Sequence, residues 1–488
     1  MNPTIEHCRL SDDLTITRVL TGLWQVADME RDGELIDPNA AAAALQAYVD
    51  AGFTTFDMAD HYGSSEVLAG RYRAQSPASQ RTQMLTKWVP QPGPLTKDRV
   101  RRAVERALSR LQTDRLDLLQ FHTWEYANPV WLDAMWWLQE LREEGLIGAL
   151  GVTNFDTAHL RIALRSGIEI ASNQVCFSLL DRRPLNTLAD LCTEHGVKLL
   201  CYGTLAGGFL TERWLGRSEP SEQEASSDSL MKYHRFIRAA GGWDALQSIL
   251  TALHAVAERH GVSMANVASR YVLEQPAVGG VIIGTRLGQT EHIEDTLRVF
   301  SFSLDDESRG MLQAAIERTT PLPGDSGDEY RKPPFLTASG DLSDHLESLP
   351  SPWPASEGED NRTRVSTGTT WEAVGGFSRA IAIGNRILVS GTTATHNGRV
   401  IGEEDVIAQA DFAIDKIEAA LRSLGSGLED VVRTRIYLRR LEDWEAVARV
   451  HGRRFALARP ANTLVQADLV GDEYLVEIEA EAVRSSEA

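Results

Sequence analysis

The stretch "DPNAAAAALQAYVDAGFTTFDMA", residues 37–59, is written first for a helix and then for a strand. Asp37 can cap a helix, Pro38 suits a first helical position that needs no N–H, the alanine run favours helix, and Gly52 stops it. The β-branched and aromatic residues that follow suit a short buried strand. A helix handing over directly to a buried strand is one unit of an alternating α/β fold. The unit recurs. "TKDRVRRAVERALSRLQTDR" (96–115) is an amphipathic helix capped by Thr96 and runs into the strand "LDLLQFH" (116–122). "VWLDAMWWLQELREEG" (130–145) is followed by "IGALGVTNF" (147–155), and "MLTKW", "IEIASNQVCF", "VKLLCYG" and "VGGVIIGT" supply further strands. None of these strands leads into G-x-G-x-x-G; residues 203–208 read G-x-x-x-G-G. The doubly wound dinucleotide fold lacks its fingerprint, and a (β/α) barrel over residues 1–320 is expected.

At 488 residues the chain is too long for one ordinary core. Helical periodicity stops between Thr319 and Asp360, and residues 340–360 are acidic and proline-containing, without Lys or Arg. Residues 321–361 are expected to be a solvated linker. Beyond it, residues 362–488 read as a compact α+β unit: a hairpin in "RAIAIGNRILVSGTT", a helix, a strand, a helix and two more strands. The polar run "SEPSEQEASSDS" (218–229) reads as a surface loop within the barrel, and the longer stretch 209–240 is placed to fold over a bound cofactor.

Forty-nine basic and sixty-nine acidic residues give a net charge of −20, which disfavours nucleic acid and anionic membranes as partners. Without a signal-like start or a long apolar run, the expected location is cytoplasmic. The four cysteines, Cys8, Cys176, Cys192 and Cys201, have no metal-ligand spacing, so no metal is expected.

In a barrel the chemistry sits where strands end. Asp57 ends one expected strand, Lys87 the next and His122 the one after, while Tyr62 follows Asp57 on its loop. Singly, each has a structural explanation as an ion pair, a core histidine or a rim aromatic. Together, at successive strand ends, they point to a site.

These residues carry a resemblance. With Asp57, Ala59, Tyr62 and Gly63 in a D-x-A-x-x-Y-G pattern and Lys87 and His122 downstream, the barrel resembles an aldo-keto reductase, which implies a (β/α)8 TIM barrel. The resemblance implies NADP(H) as cofactor, with NAD possible, a small carbonyl substrate, and catalysis by Asp57, Tyr62, Lys87 and His122. It implies nicotinamide contacts at Thr153, Asn154 and Gln174, and stacking on Tyr202 beside Gly203 and Leu205. It also implies an adenosine-phosphate segment with Gly284, Arg286, Gln289, Thr290, Glu294 and Asp295. Hydride addition builds negative charge on a carbonyl oxygen, so a proton donor must stand beside it. Tyr62 takes that role. Lys87, held by Asp57, is expected to lower the pKa of the phenol, and a neutral His122 to orient the oxygen. Trp24, Trp88, Trp124 and Tyr126 are expected to form the substrate pocket.

The C-terminal unit, through "GNRILVSGTT", "DVVRTRIYL", "RPANTLVQADL" and "LVEIEAEAV", resembles the RidA/YjgF family, trimeric proteins whose active members hydrolyse imines. Asn462 stands where that family places a carboxylate-binding Arg, and Glu477 matches its water-activating Glu. Both are candidates for a second-domain cleft. An amide cannot supply a guanidinium's charge, so a trimerisation or ligand-binding module is expected, with barrels tethered outside a homotrimer and active independently. Two alternatives stand: a bifunctional reductase and imine-processing protein, and a cofactor-binding regulatory subunit.

Overall fold

The computed structural model describes residues 3–24, 37–221, 223–225, 227–285, 287, 292–332 and 343–484. Eight parallel strands close into a barrel: β1 Val19–Gly22, β2 Thr55–Asp57, β3 Gln83–Trp88, β4 Leu116–Phe121, β5 Ile147–Thr153, β6 Ser172–Cys176, β7 Lys198–Tyr202 and β8 Val278–Gly284. Closure falls between β8 and β1, with Val281 opposite Val19 and Gly284 opposite Gly22. Seven of these strands stand out in the sequence pattern. The eighth, β1, is a buried tetrapeptide too short to show a period.

The helix Pro38–Asp50 begins as its sequence dictates, with the Asp37 carboxylate accepting from the Asn39 and Ala40 N–H groups. The Thr96 hydroxyl likewise accepts from Arg99 N at the start of Lys97–Leu111. Inside the barrel, alternation along each strand sorts residues into layers. Leu85 and Leu118 pack with Leu20, Leu200 and with Leu10, Leu14 and Ile16 of an N-terminal hairpin, His7–Arg9 with Thr15–Thr17. Two residues further along the same strands come Lys87 and Gln120, so an apolar layer underlies a polar one.

The second unit is a seven-stranded sheet in the order Ala355–Glu357, Arg362–Val365, Ala380–Ile383, Arg386–Thr392, Val476–Val483, Val431–Leu438, Ala461–Gln466. Only the last pair is parallel. The helices Val406–Arg422 and Trp444–Arg454 share a buried cluster with one face of it.

The expected linker is corrected at both ends. Ala355–Glu357 pairs as the edge strand of the second sheet, and Asp328–Arg331 forms a helical turn at the barrel mouth. Residues 333–342 lie outside the described residues. The edge strand is exposed throughout and is held through its backbone pairing, so its side chains carry no strand signature.

The picture of loosely tethered barrels is corrected too. Helix Val406–Arg422 lies between its own sheet and the barrel helix Thr157–Arg165. Ala394, Ile401, Ala408 and Phe412 belong to the same buried cluster as Trp131, Met135 and Leu138 of the barrel. Arg161 bonds Asp405 at 2.9 Å, Arg422 bonds Glu125 at 3.1 Å and His396 bonds Asp133 at 2.8 Å. The two units form one docked body. Among the described residues, no helix is long and apolar enough to cross a membrane.

Candidate active site

The C-terminal ends of the strands surround a cleft of about 340 Å³. Asp57, Tyr62, Lys87 and His122 all line it. Lys87 Nζ donates to Asp57 Oδ2 at 2.7 Å and to the Met58 carbonyl at 2.9 Å. The other carboxylate oxygen, Oδ1, accepts from Gln174 Nε2 at 2.7 Å and Gln120 Nε2 at 3.2 Å. Gln120 is missing from the sequence-derived set, although it precedes His122 by two on one strand and so shares its face.

Tyr62 packs edge-on to Trp24 with ring centroids 4.7 Å apart, and Lys87 Nζ stands 4.9 Å from the Tyr62 ring centroid. Burial, then Asp57, pushes the Tyr62 phenol well above its ordinary pKa. The expected lowering by Lys87 is therefore corrected: burial dominates, drawing the Lys87 ammonium down as well against the pull of Asp57. The phenol is held protonated, the form a proton donor needs.

Burial, then the nearby Arg331 guanidinium, lowers the His122 pKa well below its ordinary value, so the ring is neutral. Its Nδ1 lies 3.3 Å from the Thr153 carbonyl, which only accepts, so Nδ1 carries the proton. Nε2 is then an acceptor, buried and without a partner among the described residues. It is suited to orienting a hydroxyl rather than donating to a carbonyl.

Thr153, Asn154, Gln174, Tyr202, Gly203, Leu205 and Gly284 all line the cleft. Gly203 adopts φ +72°, and a Cβ there would fall 2.3 Å from the Tyr233 hydroxyl. Through Gly208, Ile283 and Gly284 the cleft adjoins a second cavity of about 320 Å³ lined also by Tyr48, Arg213, His292 and Thr296. This elongated trough, with an aromatic wall at Tyr202, amide groups beside it and glycines at its floor, fits a nicotinamide dinucleotide.

Arg286, Gln289 and Thr290 lie outside the described residues. Glu294 and Asp295 are not among the residues that line either of these two cavities. Asp295 instead accepts from Ser263 Oγ at 2.7 Å and Asn266 Nδ2 at 3.2 Å, at the start of helix Met264–Leu273.

Of the four expected pocket aromatics, Trp24 and Trp124 line the cleft. Trp124 donates to the Pro90 carbonyl at 2.9 Å and meets His122 edge-on at 4.6 Å. Trp88 is corrected: it follows inward Lys87, so alternation turns it outward onto Phe121. Tyr126 is corrected as well, lying buried in a stack with His159.

Four further cleft residues have no sequence signature. Ser229, Lys232 and Tyr233 come from helix Asp228–Ala239, within the stretch expected to cover a cofactor. Tyr330 comes from the stretch expected to be linker. Its hydroxyl accepts from Lys232 Nζ at 2.7 Å and lies 3.1 Å from the Tyr202 hydroxyl, which donates to Asn154 Oδ1 at 2.8 Å. Arg183 anchors this segment through the Asp325 carbonyl and Glu329, at 3.0 and 2.9 Å.

In the second unit, the two cleft candidates Asn462 and Glu477 lie on opposite faces of the sheet within one chain. Asn462 sits opposite Thr434 and donates to its hydroxyl at 2.9 Å, on the side where Thr434 meets His451 of a covering helix. Glu477 sits opposite Tyr437, three residues along, and alternation places it on the other face. There its carboxylate fills the space above Gly391, where a Cβ would come within 2.0 Å of it.

Comparison with known proteins agrees with this fold. Residues 18–317 match the Aldo/keto reductase family and residues 367–484 match Endoribonuclease L-PSP. The chloroplastic pyridoxal reductase of Arabidopsis thaliana is 28% identical over 294 residues, covering 57% of this chain and 76% of that protein. Aldo-keto reductase YhdN of Bacillus subtilis is 24% identical over 344 residues, covering 68% of this chain and 98% of that protein. The solved glycerol dehydrogenase of Gluconobacter oxydans shares the barrel fold, with a TM-score of 0.55 at 24% identity over 65% of this chain and 97% of that one.

Proposed function

We propose that this chain, which belongs to the aldo/keto reductase family and carries a RidA-type domain, reduces an aldehyde or ketone with a reduced nicotinamide cofactor. The observation that carries the reading is the convergence of Asp57, Tyr62, Lys87 and His122 on one cleft that continues into a dinucleotide-sized trough. The cofactor, when bound, supplies the hydride; Tyr202, Asn154 and Gln174 would hold its nicotinamide end.

The chain's own residues manage the proton. Tyr62, kept neutral by burial, donates to the oxygen as charge develops there, while the Lys87 ammonium supports the phenolate left behind. Asp57 keeps Lys87 charged and is itself held by the amides of Gln120 and Gln174. The bare Nε2 of His122 accepts from the hydroxyl once it has formed, fixing the alcohol. Trp24 and Trp124 give the site an apolar wall that excludes water.

A preference for NADPH is inferred from Arg286, whose guanidinium can pair with the additional phosphate. A homotrimer is inferred from the resemblance of the second domain. It is supported by apolar side chains left exposed on that domain, among them Trp371, Val374, Leu457 and Val470. An aldehyde and ketone panel followed by cofactor absorbance tests the central reading. Turnover should fall about a hundredfold or more in Tyr62→Phe with cofactor affinity kept. Near-normal turnover of that variant overturns the assignment.

A further inference from the structure

The second domain reaches the reductase site through a stack of side chains. Asp415, buried on helix Val406–Arg422, lies 3.1 Å from Nε2 of His159 on the barrel helix Thr157–Arg165. His159 Nδ1 lies 2.6 Å from Asp156 Oδ1, so both nitrogens face carboxylates and the ring cannot rotate freely. Its plane lies parallel to that of Tyr126, within 3°, with centroids 3.5 Å apart.

The Arg331 guanidinium stands 4.3 Å from the same Tyr126 ring. Two groups so close on one face would collide, so His159 and Arg331 sandwich the phenol from opposite sides. Arg331 in turn donates to the Thr123 carbonyl at 3.0 Å and to the Asn154 carbonyl at 2.6 Å. Its neighbour Tyr330 sits edge-on to His122 at 5.8 Å and bonds Lys232 in the cleft.

We propose that His159 is a positioning residue: Asp415 of the second domain holds its ring flat on Tyr126, and through Tyr126 and Arg331 this fixes Tyr330 and the Asn154 backbone at the reductase site. The fused domain thus completes the active site instead of merely assembling the chain. This rests on the reductase reading above. The contacts are specific to the fusion, since Asp415 belongs to a different domain from the other members of the stack. They are also costly to disturb, because His159 is buried between Asp156 and Asp415, and Asp415 in turn accepts from Arg454 at 2.6 Å.

The stack predicts a readout that loss of stability alone does not move. Arg331 opposes protonation of His122, which also faces His61, His345 and, on the neighbouring strand, Lys87. Loosening Arg331 should let His122 take a proton at higher pH, shifting the acid limb of the kcat/KM profile upward.

The test uses the full chain with Tyr126→Phe, Tyr126→Leu and Asp415→Asn, measuring NADPH affinity by fluorescence quenching, kcat/KM against pH, and folding by circular dichroism. Tyr126→Phe should match the wild type, because the ring face shared by His159 and Arg331 is kept. Tyr126→Leu and Asp415→Asn should each lower kcat/KM about tenfold and raise the acid limb by about half a pH unit. Folded Tyr126→Leu and Asp415→Asn chains within about twofold of wild type, with an unmoved acid limb, overturn the proposal. If Tyr126→Leu fails to fold, Asp415→Asn, a change of one oxygen to an amide, decides alone. A wild-type chain that neither binds NADPH nor turns over removes the reductase reading, and this inference with it.

Discussion

Removing one member of the Asp57–Lys87 pair should cost far more than removing both. Each side chain is about 4% exposed, and the ammonium and carboxylate are 2.7 Å apart. In Asp57→Asn the Lys87 charge is left buried with the Met58 carbonyl and a neutral amide, a loss of about 3–5 kcal/mol. In Lys87→Met the carboxylate keeps the Gln120 and Gln174 amides, so the cost should be smaller, about 2–3 kcal/mol. The double variant buries no charge, and its new amide still accepts from both glutamines. It should lose less than either single change, giving a coupling energy of about 3 kcal/mol or more. At about 2–4 °C per kcal/mol, Asp57→Asn should melt about 6–20 °C below wild type, with much of that recovered in the double variant. All three should be inactive, which would separate the pair's catalytic value from its stabilising value. Denaturant titration of the four proteins measures the cycle. Losses that simply add would show that the two charges are not coupled in the folded chain and would refute the reasoning.

Three further outcomes can be checked. NADPH should be preferred over NADH, and Arg286→Ala should reduce that preference about tenfold or more; equal kcat/KM for both cofactors, unchanged in the variant, removes its basis. Burial opposes charge on His159, but Asp156 and Asp415 outweigh it and hold the imidazolium up to about 9. Its folded pKa is raised, so its contribution of about 3 kcal/mol is complete below about pH 6.5 and lost as pH rises through about 9. Denaturation midpoints should fall over that window, against a background set by Asp411, Arg331 and Arg454, and the fall should flatten in His159→Asn. Light scattering should give a homotrimer, and the protein should leave 2-iminobutanoate unhydrolysed because Asn462 offers its carboxylate no cation; a monomer, or imine hydrolysis that is lost in Glu477→Gln, contradicts these two expectations.

The barrel and the convergence of Asp57, Tyr62, Lys87 and His122 on its mouth were legible in the sequence because their signals are local. Asp37 caps a helix through residues two and three positions away, the alternating helices and strands each carry their own period, and Asp57, Lys87 and His122 fall at strand ends that any barrel gathers into one mouth. Gln120 was within reach by the same alternation. The remaining features depend on partners distant in the chain. Tyr126 is an aromatic residue near the mouth held out of the cleft by its stack on His159, whereas the outward turn of Trp88, like the place of Gln120, follows from alternation alone. Tyr330 and Arg331 lie in a segment without periodicity, which acquires its place from Arg183, Thr123 and Asn154. The pKa of Tyr62 followed burial in preference to the neighbouring ammonium, a balance set by the depth of the closed site. Composition made residues 340–360 look like solvent-exposed chain, yet backbone pairing drew Ala355–Glu357 into a sheet. Local sequence thus determined the elements and the residue types at their ends, because capping, periodicity and alternation act over a few residues. Which faces meet, and hence that the second domain bears on the reductase site, was decided only by tertiary packing, where one helix buries its two sides against two different domains.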